Sequence, residues 1–207
     1  MNWLPVVRDI VVTVAAAVTA IAAWRGLSVW KRELHTRRIV ERSTTLLEKV
    51  LELRDLITRV RDPFMGKDEI SVAIREIGAT RMEGEGDSQF FERSARIATL
   101  RRRNSVVEAL NAVRASSVPV EAALGTDAIS SIDALRSVVN ELIYSFDTLA
   151  SMDSEEAESG QQADELKELR TECRDRIRRR QNGDFFGGQI DEAIKAVENQ
   201  FRKQIGP

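Results

Sequence analysis

From Ile10 to Trp24 the chain runs Ile-Val-Val-Thr-Val-Ala-Ala-Ala-Val-Thr-Ala-Ile-Ala-Ala-Trp without a single charge. No other stretch limits the possible folds as much. A bilayer core of roughly 30 Å takes about 20 helical residues, and Trp3 to Val7 before the run and Leu27 to Trp30 after it bring the apolar zone to that length. Val, Ile and Ala lie all around the circumference, so a helix here has no polar face, unlike a helix at the surface of a globular domain. A secretory signal peptide places its positive charges before the apolar run and small residues at a cleavage site after it. Here one arginine precedes the run and many basic residues follow it. The expectation is one membrane helix over residues 1–30, with Arg8 and Asp9 near its outer end, where such charges snorkel or pair.

Basic residues near the ends of a span set its orientation. Arg8 stands alone on the N-terminal side, whereas Arg25, Lys31, Arg32, Arg37, Arg38 and Arg42 follow the run. The N-terminus is therefore expected outside and residues 31–207 in the cytoplasm, with Trp24 and Trp30 at the interface. These eight residues are the candidate membrane-surface contacts, and anionic head groups are the ligand their charge suits. Ala16 with Ala20, and Ala22 with Gly26, have the small-xxx-small spacing that lets membrane helices approach closely, so a homo-oligomer is a possible partner arrangement.

The rest reads as an antiparallel bundle of amphipathic helices, making the fold class all-α. Leu46, Val50, Leu53, Ile57 and Val60 alternate steps of four and three, widened by Leu47 and Leu51. Asp62-Pro63 ends that helix because proline lacks an amide donor and disfavours helix in the residue before it, and Phe64 is expected to tuck against the end. Ile70, Val72, Ile74 and Ile77 suit a short helix, and residues 81–88 suit a loop. A helix from about Phe90 to Ala115 has Phe91, Ile97, Leu100, Val107, Leu110 and Val113 on its apolar face, with Pro119 breaking it. Arg101, Arg102 and Arg103 wrap most of the way round one turn, so Arg102→Ala is expected to change little.

Ser130 with Asp133 has capping-box spacing ahead of the steadiest stripe in the chain, Ile132, Leu135, Val139, Leu142, Phe146 and Leu149. Residues 151–162, acidic and small, are expected to form a second loop. Leu166, Leu169, Cys173 and Ile177 are expected inward on the next helix, which runs from about Ala163 to Arg180 with its acids early and its bases late, as the helix dipole favours. Asn182-Gly183 stops it. Ile190, Ile194, Val197 and Phe201 mark the last helix, with Phe185 and Phe186 packing at its start.

The segment Trp30-Lys31-Arg32-Glu33-Leu34, then Leu46-Leu47 and Leu53-Arg54-Asp55-Leu56-Ile57-Thr58-Arg59-Val60-Arg61-Asp62-Pro63-Phe64-Met65, resembles a set of uncharacterised bacterial membrane-anchored proteins. Their shared pattern is a tryptophan and leucine shortly after one span, then a Leu-Arg-Asp helix ending in Val-Arg-Asn-Pro-Phe. The close of the chain, Asp184-Phe185-Phe186 through Glu198-Asn199-Gln200-Phe201-Arg202, resembles theirs too. Asp62 stands where Asn is commoner, and the usual tyrosine is replaced near Val50 and Leu51. The resemblance covers the first third well and the middle poorly. It implies a bacterial single-pass helical protein, and the family carries no established activity to transfer; with the basic residues after the span, the expected location is the bacterial inner membrane.

Composition narrows the function classes. Acids and bases number 33 and 31, a net charge of −2 that argues against a nucleic-acid binder, which shows a basic excess. The one histidine, His35, sits in the basic membrane-proximal segment, and no His and Cys spacing suits a zinc site. Gly84-Glu85-Gly86 and Gly187-Gly188 lack the strand and lysine of a phosphate loop. Cys173 has no partner for an internal disulfide and reads as core. No catalytic, cofactor or metal residue is assigned. A membrane-tethered interaction or scaffold module with an unidentified protein partner is the first reading. An enzyme with an acid-based site assembled only in three dimensions is the alternative. A pore component would need a polar stripe through the span, which offers only Thr13 and Thr19.

Overall fold

The computed structural model describes residues 4–159, 164–179 and 183–205, with side chains over 18–152, 166–179 and 183–203. Among these the protein is all-helical: α1 (Leu4–Val60), α2 (Lys67–Ile77), α3 (Asp87–Leu124), a 3-10 turn (Thr126–Ile129), α4 (Ser130–Ser159), α5 (Asp164–Ile177) and α6 (Phe185–Ile205). The chain divides into two compact units, Met1–Arg42 and Ser43–Pro207.

In the first unit, none of residues 18–42 is buried. Among the described residues no helix is long and apolar enough to cross a membrane. Of the uncharged run expected to do so, residues 10–17 lie outside those whose side chains are described.

The second unit is a helical bundle closed around one core. Leu46, Val50, Leu53 and Ile57 from α1 meet Val106, Leu110, Val113 and Val120 from α3, Ile132, Leu135, Val139 and Leu142 from α4, and Ile190, Ile194, Val197 and Phe201 from α6. Each stripe alone is a marginal helix, and mutual burial supplies the stability. A smaller cluster, Ile70, Ala73 and Ala98, joins α2 to α3. Gly78 ends α2 with φ 67°, and the N–H groups of Gly78 and Ala79 donate to Arg75 and Ile74 O. This pairing requires the left-handed conformation that glycine adopts at no steric cost.

Several expectations are corrected. Pro119 does not break α3, which runs on to Leu124. A proline removes one amide donor, and burial of Ser117 and Val120 on either side holds the helix across the gap. Residues 151–159 continue α4 rather than forming a loop, with Met152 buried and Ser151 Oγ donating back to Asp147 O; residues 160–163 lie outside the described residues. Ser130 is no cap, since its backbone is already helical and its Oγ donates to Asp127 O.

Phe91 and Leu100 are exposed on α3, whose buried face is built instead from Ser94, Ala98, Val106, Ala109, Leu110 and Val113. Leu166 and Leu169 are exposed on α5, while Cys173 is buried. Helix α5 ends at Ile177, short of Arg180. Phe64 is 83% exposed and Phe185 80% exposed. In each of these two turns the backbone or the neighbouring residue makes the anchor: Phe64 N–H donates to Asp62 Oδ1, and Phe186, not Phe185, enters the core.

Candidate functional site

Every candidate membrane-surface residue, Trp24, Arg25, Trp30, Lys31, Arg32, Arg37, Arg38 and Arg42, is exposed on α1 in the first unit. Large apolar residues there are exposed with them: Val18 at 60%, Ile21 at 57% and Trp24 at 75%. Burial of such side chains is the main favourable term available to a protein, and these residues do not take part in it. Arg37 Nη2 donates to Glu33 Oε1 at 2.6 Å one turn back.

Two arginines tie elements of the second unit together, Arg61 buried and Arg102 with its side chain largely covered, and spacing in the sequence marks neither. Arg61, 5% exposed, follows Ile57 by four residues and so continues the core stripe of α1. Its Nη2 donates to Asp184 Oδ1 at 2.7 Å and to Arg178 O at 3.3 Å, its Nε donates to Arg176 O at 3.0 Å, and its guanidinium lies 5.6 Å from the Phe186 ring centroid. The backbone supports the same joint, Arg179 N–H donating to Arg61 O. Asp184 also accepts from Gly187 N–H at 2.9 Å. Burial alone would raise the Asp184 carboxyl, but the Arg61 guanidinium and the Gly187 N–H together hold it below its ordinary value. A methyl group on Gly187 would stand 2.6 Å from Arg61 Nη1 and collide with the Asp184 carboxylate, so this joint demands a glycine there. The turn after α1 and the start of α6 thus meet at one ion pair.

Arg102 is the second. It lies four residues after Ala98 and four before Val106, on the buried face of α3. Its Nε and Nη2 grip both oxygens of Glu69 at 2.8 and 2.7 Å, while Nη1 and Nη2 donate to the carbonyls of Arg59, Asp62 and Phe64. These carbonyls belong to the end of α1 and the turn after it, where helix acceptors lack intrahelical partners. The guanidinium therefore caps α1 and ties α2 to it. It also lowers the Glu69 carboxyl below its ordinary range. Arg93 fixes the loop before α3 in the same way, donating to both oxygens of Glu85. With the Met82 N–H, it brings the Glu85 carboxyl down to about 2.

Clefts of about 400 and 350 Å³ flank the Arg61 joint, the first lined by Arg54, Thr58, Arg179 and Asp191, the second by Glu141, Glu172, Asp175, Phe185 and Gln189. Within them Arg61 pairs with Asp184 and Arg176 with Glu172. Arg54 faces Asp55 and Glu198. Burial pushes the Cys173 thiol up, so the thiolate that a nucleophile requires is disfavoured. Among the described residues no group of His, Cys, Asp and Glu side chains is placed to hold a metal ion. The chain matches no family model, no curated protein and no solved structure.

Proposed function

We propose that this is a membrane-tethered helical interaction module of a bacterial inner membrane, with its N-terminus outside and the bundle presented in the cytoplasm. The observation that carries the reading is the exposure of Val18, Ile21, Trp24, Leu27, Val29 and Trp30 along one helix, within the uncharged run and just after it. A bilayer is the surface that accepts such residues on all sides of a helix, and the cations that follow are those retained on the cytoplasmic side. The bundle then serves as the contact body. Its ion pairs fix the ends of the helices, which suits a scaffold that holds a partner in a defined place.

Carbonate extraction of the full chain tests the tether. The chain stays with the membrane pellet if the reading holds, and release into the supernatant overturns it. Recovery of the same protein partner with the tagged chain after mild solubilisation, and its loss when bundle surface residues are changed, tests the module.

A further inference from the structure

The cleft of about 400 Å³ beside the Arg61 joint is lined by the guanidinium groups of Arg54, Arg61 and Arg179 against the carboxylates of Asp184 and Asp191. These charges are unequally spent. Arg61 is buried, and its Nε and Nη2 donate to the Arg176 and Arg178 carbonyls and to Asp184. Its Nη1, which lies beside Gly187, donates to no described residue and is open to the cleft. Arg54 shares its charge with Asp55 at 3.2 Å and Glu198 at 3.7 Å. Arg179 is exposed and has no ion-pair partner among the described residues, yet its charge reaches the Asp184 carboxyl and helps to hold it down. An N–H of a buried guanidinium is costly to leave unused, so the acceptor for Nη1 has to come from within the cleft, as water or as a ligand.

We propose that this cleft binds a small molecule through an oxyanion group, a carboxylate or a phosphate, which accepts from Arg61 Nη1 and from the Arg179 guanidinium. The proposal uses residues of the second unit alone and stands whether or not α1 lies in a membrane. Guanidinium forks match both groups. The volume is more than a bare ion fills and lies at the lower end of small-molecule sites, about 300 to 1,000 Å³. Ile57 and Ile190 contribute to the lining and give the carbon body of the ligand an apolar wall. Asp184 is already held by Arg61 and the Gly187 N–H, which leaves Asp191 as the carboxylate that repels an anion. Its presence favours a ligand of low charge over a polyanion.

Isothermal titration calorimetry on the full chain, in neutral detergent and chloride buffer, tests the cleft with two probes, inorganic phosphate and glutarate. At least one is expected to saturate with a Kd of about 1 mM or below, and the tighter of the two identifies the group. Arg179→Gln should weaken that probe about fivefold, the upper end for a solvent-facing pair, and Asp191→Asn should tighten it about twofold. Both residues are exposed, so the fold tolerates these changes. Arg174→Gln, exposed on α5 and outside the cleft, removes the same charge and should leave the affinity as it was. In a chain carrying nitrogen-labelled arginine, the Arg61 guanidinium resonance should shift along the same titration curve. Saturation by neither probe overturns the proposal. So do equal losses in the Arg179 and Arg174 variants, which would reduce the effect to net charge, weaker binding after Asp191→Asn, or an Arg61 resonance that stays still.

Discussion

Replacing Arg102 by alanine removes five hydrogen bonds at once, two to Glu69 and three to the carbonyls of Arg59, Asp62 and Phe64. The arginine side chain is 8% exposed and that of Glu69 13%, so the pair stands on the buried side of the usual distinction. Breaking such a pair by deleting one partner costs about 3 to 5 kcal/mol, because the remaining charge is left uncompensated. Arg59 also approaches Glu69, at 3.4 Å, and survives the change, which places the expected loss near the lower bound, about 3 kcal/mol. For a domain of this size that corresponds to a fall in Tm of about 6 to 12 °C, followed by circular dichroism at the helix band on the full chain in neutral detergent. Arg101→Ala is the control. It also removes a two-pronged contact, to Glu76, but that pair is 39% and 53% exposed and is worth about 1 kcal/mol or less. Arg102→Met with Glu69→Leu should recover the part of the loss that comes from the stranded carboxylate, but not the part from the carbonyls of Arg59, Asp62 and Phe64, which still lack their donor. Equal melting of the Arg102 and Arg101 variants would falsify the buried-pair argument.

Gly187→Ala should lower stability by about 1 to 3 kcal/mol through overpacking against Asp184 and Arg61, whereas Gly188→Ala, which meets nothing within 4 Å, should not; melting of the two variants side by side decides. Leu142, fully buried, should cost about 2 to 5 kcal/mol as alanine, and a variant melting like the parent would place that stripe outside the core. The carboxyls of Glu69 and Asp184 are held below their ordinary values, so the folded state releases those protons more readily than the unfolded one. Their stabilisation is complete above about pH 5 and is lost as the pH falls below about 4, toward the folded values. Denaturant melts between pH 6 and pH 3 should show this loss, and Glu69→Gln should flatten it; an unchanged slope in that variant would refute the assignment. A reporter active only in the cytoplasm, fused after Pro207, should work, and activity of an export-only reporter there would reverse the orientation.

The helices that pack against many neighbours were legible from spacing alone. Leu46 to Val60, Ile132 to Leu142 and Ile190 to Phe201 keep one side apolar over several turns, and hydrophobic burial acts on just that pattern. Periodicity failed where a buried position is not apolar. Arg61 and Arg102 continue the stripes of α1 and α3, but a charged residue at a stripe position reads as the edge of a pattern until its partner is known. Asp184 and Glu69 are supplied by segments 123 and 33 residues distant. The reverse error placed Phe91, Leu100, Leu166 and Leu169 inside: they satisfy the helical period, yet the opposing surface does not extend to them. Ends were the hardest to read. Pro119 and the acidic run after Ser151 carry local signals for stopping, and tertiary burial at Val120 and Met152 outweighs them.

The tie between Arg61 and Asp184 also sets an order of events during synthesis. Helix α1 leaves the ribosome with its core stripe complete, yet the carboxylate that receives Arg61 and the Phe201 side chain that fills the core emerge more than a hundred residues later. Until then the nascent chain holds a core that lacks its α6 layer and an arginine without the Asp184 carboxylate. Long loop closure of this kind is slow relative to local helix formation. A product cut short before α6 therefore lacks both the last layer of the core and its counter-ion, and is expected to be cleared as a whole by proteolysis rather than to persist as a smaller, weaker bundle.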